Sequence, residues 1–286
     1  MTTQVVTARP SDPEDPEQPR PVAPRAARAE RIREVAVRSA IRLVILAVLL
    51  LLWQFASGRI FPVFVISSPG QVFERFGTAL DGGQLFKDLA ATMKECMLGF
   101  VIGSIVGSVC GLVFGIYESV ARVISPFANM LYAMPKIMLS PLIVVWFGIG
   151  LTMKVAIATL SCLWVVFYNV WNATRRIDRN LLDQFRLMGA NNGQIVAGLY
   201  LPSATTWLLT SLRIAFPIAL IGAVVGEFIA GSEGLGHMAL DAGQKYDAAG
   251  VLVAVLTVTI TAVFIDAVLG AIQSRVALWQ GEGERG

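Results

Sequence analysis

The sequence predicts an all-α membrane protein of about six transmembrane helices with both termini cytoplasmic, and three observations carry that prediction. Hydrophobic residues fill 55% of the 286 positions and charged residues only 15%, where ordinary globular chains carry about 25% charge. Of the 43 charged residues, 18 lie outside 43–272, so the interior is poorer still. The apolar residues gather in runs that suit a hydrocarbon core of about 30 Å, which needs about 20 residues per helix. This balance excludes a disordered or nucleic-acid-binding protein and fits a water-soluble enzyme poorly. A net charge of +3 is too small to imply an acidic partner.

Residues 1–30 hold six of the thirteen prolines with mixed charges and few large apolar side chains. Such a stretch cannot bury enough surface to offset chain entropy, so a disordered tail is expected. Residues 31–60 read as an N-terminal anchor helix. Its apolar run at 43–53 follows a largely polar stretch of 42 residues, too long for the charged start of a cleaved signal. Six candidate spans follow from the apolar runs: 41–57, 92–117, 124–148, 153–172, 204–229 and 250–271. The third is interrupted by Pro135, Lys136 and Pro141. Orientation rests on Lys and Arg. With the N-terminus inside, thirteen basic residues fall on the cytoplasmic side and six on the outer side. Between the first two spans, residues 70–93 read as short amphipathic helices on the outer surface.

Cys96, Cys110 and Cys162 lie in apolar segments without a CxxC, so neither a disulfide framework nor a zinc site is expected. His237 is the only histidine, which leaves almost no material for a metal centre. Trp53, Trp146, Trp171, Trp207 and Trp279 fall near span ends, as interfacial aromatic belts do. Trp164 falls mid-span, where packing is the simplest account.

The loop 173–202 carries the most information. Asp178 can cap a helix beginning at Arg179. Leu181, Leu182, Phe185 and Met188 then share one face, with Asn180, Asp183, Gln184 and Arg186 on the rest. Gly189 ends the helix, Asn191 or Asn192 can cap the next, and Leu201 and Pro202 enter the following span. A short apolar ridge between two spans suits a groove on a cytoplasmic partner or the lipid surface, and pattern alone weighs these equally.

Asp183-Gln184-Phe185-x3-Gly189-x9-Leu199-x-Leu201-Pro202 resembles the EAA-x3-G-x9-I-x-L-P loop of permease subunits in bacterial ABC importers. The opening triplet departs from that pattern; Gly189, Leu201 and Pro202 match at full spacing. Pro135-Lys136-x4-Pro141-Leu142-x3-Trp146-Phe147-Gly148-Ile149-Gly150 is similar to the segment before the loop in the nitrate/sulfonate/taurine type. Ser211-Leu212-Arg213, Gly226-Glu227 and Gly234-Leu235-Gly236 are similar to the segment after it.

The resemblance covers roughly 60–280 and implies an importer transmembrane domain over 61–280 in the bacterial inner membrane. It implies a multi-pass permease subunit, not an enzyme. Its helix 179–188 would dock on a cytoplasmic ABC ATPase dimer, beside a second copy of the permease and a soluble substrate-binding protein outside. ATP and Mg would belong to the ATPase. In keeping with this, no G-x4-G-K-[ST] occurs in the 286 residues, so no phosphate cradle is expected here. The implied substrate is a small anion such as nitrate, a sulfonate or taurine. The alternative is a pyrimidine-type vitamin precursor, as related permeases carry.

Within the spans, Gly99, Gly103, Gly107, Gly111 and Gly115 recur every four residues and are expected to pack against another helix, a channel along this stripe being the minor reading. Lys136 is the most isolated charge; it lines the translocation path or snorkels to the interface. Glu227 lies late in the fifth span, as a path or gate residue or a polar helix end. Arg213 pairs with an acid or reaches headgroups. An ion-coupled secondary transporter would want acidic or histidine relays and often inverted repeats, which are not evident. A membrane-embedded enzyme would need paired catalytic groups, and only isolated charges appear.

Overall fold

A computed structural model describes residues 25–60 and 62–281. The expected tail therefore lies, up to residue 24, outside the described residues, as does the side chain of Trp279. Two units divide the chain, Met1–Gln54 and Phe55–Gly286.

The first unit holds nearly all of α1 (Arg25–Ala56). Its second half, Ala36–Ala56, has a mean hydropathy of 2.2, enough to cross a bilayer. Where the apolar half begins, Arg38 Nη2 lies 3.4 Å from Glu34 Oε2, one helical turn away.

In the second unit, α2 (Pro69–Asp81) begins at a capping box. Ser68 Oγ accepts from the Gln71 N–H, and the Gln71 side chain accepts from the Ser68 N–H at 3.2 Å. Pro69 occupies the first turn, where no N–H is needed. In the expected amphipathic segment Val72 and Ala79 are buried, but Phe73 is exposed.

The core is built from α3 (Gln84–Ile116), α6 (Leu151–Arg175) and α9 (Leu201–Ala230). The α3 glycines lie against the α6 backbone. A Cβ on Gly107 would stand 2.6 Å from the Leu163 carbonyl oxygen, and one on Gly111 2.7 Å from that of Phe167. The other side of α6 meets a glycine of α9, where a Cβ on Gly222 would stand 2.9 Å from Ala158 Cα. Small residues on both flanks let three backbones approach, which matters where lipid supplies no hydrophobic drive between helices. Cys162, Ala215, Phe216, Ala219 and Ala223 fill the centre, each 0% exposed. Phe100 meets Phe216 edge to face at 5.6 Å between ring centres. All three cysteines are free.

Helix α11 (Ala248–Gly281) packs along α9. Arg213 of α9 reaches it through two hydrogen bonds to Asp266, at 2.6 and 2.8 Å. Of the two readings of Arg213, the fold makes it one half of a bidentate pair with an acid.

The expected third span differs most. Instead of one helix over 124–148 there are α4 (Glu118–Ala133), a 3-10 turn (Lys136–Leu139) and α5 (Ser140–Phe147). The segments Ser119–Ala133 and Lys136–Phe147 meet at 86°. Proline explains the break: Met134, before Pro135, is pushed to an extended backbone (ψ 133°), and Pro135 has no N–H to continue the ladder. Among the described residues five helices are long and apolar enough to cross a membrane alone, or six if the bent pair is one span. Among the described residues no strand forms a sheet.

Candidate functional site

The loop between α6 and α9 folds as helix, break, helix. Helix α7 (Arg179–Leu187) starts where Asp178 Oδ1 accepts the Asn180 N–H at 2.9 Å. Met188 closes it, and Gly189 follows at φ +79°, the left-handed position that favours glycine after a helix. The Ala190 N–H returns to the Phe185 carbonyl at 3.0 Å. Asn191 caps α8 (Asn192–Ile195) in a second capping box, with Gln194 as its partner. A π turn (Val196–Tyr200) leads into α9, with Pro202 in its first turn.

The expected apolar face of α7 is divided. Leu182 and Phe185 are half-buried against the chain, and a Cβ on Gly198 would stand 3.0 Å from the Phe185 ring. Leu181, Leu187 and Met188 point outward at 45%, 87% and 78% exposure. On a helical wheel Leu187 falls nearly opposite the face of 181, 182, 185 and 188, so periodicity does not pick it out. Asp183 and Gln184 are exposed, and Asp183 lies 3.5 Å from Arg186.

A second cluster lies at the opposite ends of the same helices, where α3 and α6 begin and α9 ends. Asp88, Thr92 and Glu95 follow one another along the face of α3 that continues into the glycine stripe. Glu95 Oε1 accepts from Lys154 Nζ at 2.6 Å, and their side chains are 2% and 5% exposed. Lys154 also reaches the Glu233 carbonyl at 3.4 Å. Thr92 Oγ1 donates to Glu227 Oε1 at 2.6 Å and accepts the Leu235 N–H at 2.8 Å. Asp88 Oδ1 accepts the Gly234 N–H at 3.0 Å, and Glu227 Oε2 that of Gly236 at 2.6 Å.

Three successive N–H groups at the start of α10 (Leu235–Gln244) thus find acceptors on α3 and α9. These are the donors a helix leaves unpaired at its first turn, and an anionic partner there also suits the helix dipole. A side chain at Gly234 (φ +111°) would run into the Glu227 carboxyl, so the glycine is required by space as well as backbone. Glu227 is 0% exposed. Asp88, Thr92, Glu95 and Lys154 belong to none of the sequence motifs above. The signal was present: Glu95 is an acid inside an apolar span, which demands a partner.

Lys136 stands at the break between α4 and α5, half-exposed, with Nζ donating to the Tyr132 carbonyl at 2.6 Å. Its ammonium also lies 4.8 Å from the centre of the Tyr132 ring. Among the span-end tryptophans, Trp146 is 65% exposed, but Trp171 is 4% exposed within a cluster of Phe167, Tyr168 and Trp164. Trp171 is therefore a packing residue and not part of a lipid-facing belt, because the close approach of α3 and α6 encloses it.

A membrane bundle with a capped helix held between two spans defines the class. Residues 99–278 match the family described as binding-protein-dependent transport system inner membrane component, and the chain belongs to that family. It is thus a multi-pass inner-membrane permease of the ABC importer type. Among its relatives is the riboflavin transport system permease protein RibX of Chloroflexus aurantiacus, 35% identical over 83% of this chain and 89% of the relative. The taurine transport system permease protein TauC of Escherichia coli is 29% identical over 83% and 88% of the two chains. A solved structure of the MetNI methionine ABC transporter, in inward facing conformations, shares the fold at a TM-score of 0.56 and 25% identity. It covers 68% of this chain and 94% of that one.

Proposed function

We propose that this chain is the permease subunit of an ATP-driven importer working by alternating access, with α7 transmitting the motion of an ATPase into the spans. The observation that carries the reading is the outward ridge of Leu181, Leu187 and Met188 on a helix anchored at both ends. Exposed apolar side chains on a short helix between spans suit a groove on a partner. In this reading α7 and both termini are cytoplasmic, and ATP and Mg bind the ATPase. One coupling helix per chain and two grooves per ATPase pair imply a second copy of the permease. A soluble binding protein delivers substrate to the outer face, near α10. Lys136 borders the path at the α4–α5 break, and Glu227 pins α10. The glycine stripe serves helix packing.

Two substrate classes have separate support. A heteroaromatic vitamin or pyrimidine-type precursor is favoured by the likeness to a riboflavin permease. A small anion such as taurine, a sulfonate or nitrate is favoured by the likeness to a taurine permease and by the cation at Lys136.

The test of the coupling role is cross-linking in the assembled transporter. Met188→Cys should join a cysteine placed in the ATPase groove, and Lys87→Cys at the opposite end of the spans should not. An assembled, active complex without the Met188 cross-link overturns the assignment. Titrating the cognate binding protein with riboflavin, taurine and nitrate separates the two substrate classes.

A further inference from the structure

One oxygen of the buried cluster at the start of α10 lacks a donor. Glu95 Oε1 is taken by Lys154, but Glu95 Oε2 is enclosed and accepts no hydrogen bond. The carboxyl group of Glu227 lies within hydrogen-bond reach of that of Glu95. Ionised carboxyl groups only accept, so neither serves the other while both are charged. Around the pair stand Asp88 and Cys96 of α3, Lys154 of α6, and Glu233 in the turn before α10. Helix α10 adds His237, next to Gly236, whose buried Nδ1 has no partner. Of these groups only Lys154 carries a fixed positive charge, and it stands 2.6 Å from Glu95. The α10 donors add little at Glu227, because the Gly234 and Leu235 N–H groups go to Asp88 and Thr92. Two carboxylates in one enclosed space repel, and a single lysine balances only one of them.

We propose that Glu227 is held as a neutral carboxylic acid that donates its proton to Glu95 Oε2, so that α10 docks on the protonated form. Glu95 keeps its charge because it pairs with Lys154. The proton therefore rests on Glu227, whose oxygens still accept from Thr92 and Gly236. This arrangement gives the orphaned oxygen its donor and leaves one ion pair in place of two facing carboxylates. When the proton leaves to water, both groups carry charge and Glu227 is driven from α3. Its carboxyl group already lies against Gly234 and holds the Gly236 N–H, so the displacement passes to the start of α10. Helix α10 is then a latch that proton loss opens, at the end of the bundle away from α7. The latch needs only the contact of Glu227 with α10, not the importer reading.

Infrared difference spectra of the full-length chain in neutral detergent, taken between about pH 6 and about pH 9, read the proton directly, because ordinary carboxyl groups are already ionised there. The wild type should show the C=O stretch of a protonated carboxyl group, lost on the alkaline side. Glu227→Gln should lack that band. Glu95→Gln should lack it too, since its amide supplies the donor and lets Glu227 ionise; this variant serves if the other folds poorly. His237→Gln should keep the band. Over the same interval the wild-type peptide spanning α10 should exchange its amide hydrogens faster than the intrinsic rise with pH, and that of Glu227→Gln should not. No titrating carboxyl band in the wild type, or one that survives both Gln variants, overturns the proton site. The expected band together with α10 exchange that ignores pH retains the shared proton but overturns the latch. Neither readout requires transport or an ATPase, so failure here is distinguishable from failure of the importer reading.

Discussion

Lys154 Nζ stands 2.6 Å from Glu95 Oε1, and both side chains are almost wholly withdrawn from their surroundings. Within the same cluster Glu227 and Asp88 engage the start of α10, so the ammonium is the counter-charge of a group that is otherwise acidic. An ion pair at this depth is costly to make and costlier to break.

Removing one partner should therefore destabilise the fold more than removing both. Lys154→Met is expected to cost about 3–5 kcal/mol by leaving a carboxylate unpaired. The Lys154→Met/Glu95→Leu double variant should recover much of that loss. Thermal unfolding in detergent of the two singles and the double reads the coupling directly; additive losses would mean that the pair is not a unit.

The glycine stripe predicts a steric effect. Gly107→Ala places a methyl 2.6 Å from the Leu163 carbonyl oxygen, in backbone that cannot swing aside. Overpacking of this kind costs about 1–3 kcal/mol. Gly77→Ala on α2 meets nothing within 4 Å and serves as the control. A lower melting temperature for Gly107→Ala, with an equal or higher one for Gly77→Ala, is the expected result.

At Gly189 the strain lies in the backbone alone, since a Cβ there would find open space. A side chain in the left-handed region costs about 1–2 kcal/mol, which the loop can relieve by reorienting α7. Gly189→Asp is expected to assemble with the ATPase and hydrolyse ATP, yet lose most substrate-dependent transport. Uptake assays beside ATPase assays on the same vesicles distinguish uncoupling from misassembly.

Arg75 and Asp247 give a pH dependence outside the spans. Burial opposes ionisation of Asp247, but hydrogen bonds from the Gly250 N–H and Arg75, with the Arg75 charge, outweigh it and hold the carboxyl below its ordinary value of 3.8. A depressed folded-state pKa contributes stability above the unfolded value, and that contribution disappears as pH falls through the folded one. Asp247→Asn should thus melt earlier than the wild type at pH 6, and the difference should shrink below pH 3.8. Melting curves across that interval check the sign.

Lys136→Ala should lower uptake if the substrate is an anion, with assembly and ATPase activity retained. Unchanged uptake with a demonstrated anionic substrate removes Lys136 from the path. Flux and ATPase measurements on one preparation read both.

Much of this architecture was legible because its causes are local. Apolar runs fall where α3, α6, α9 and α11 form, since hydrocarbon thickness sets their length. Asp178, Gly189 and Pro202 act within a turn of themselves, so the ends of the loop helices could be read from spacing. The four-residue glycine period marked a packing face, though not which helix it meets.

What the linear order withheld is everything made by approach of distant segments. Glu95 and Lys154 are 59 positions apart, and Arg213 and Asp266 53. Their charges read as isolated because only tertiary contact makes them partners. By itself the sequence determined the membrane class, the apolar cores of α3, α6, α9 and α11 and the stops of the loop helices, through chain-local hydropathy, capping and proline chemistry. The tertiary structure alone decided which polar groups are paired in the low-dielectric interior, because each needs a partner there and the fold chooses which is in reach.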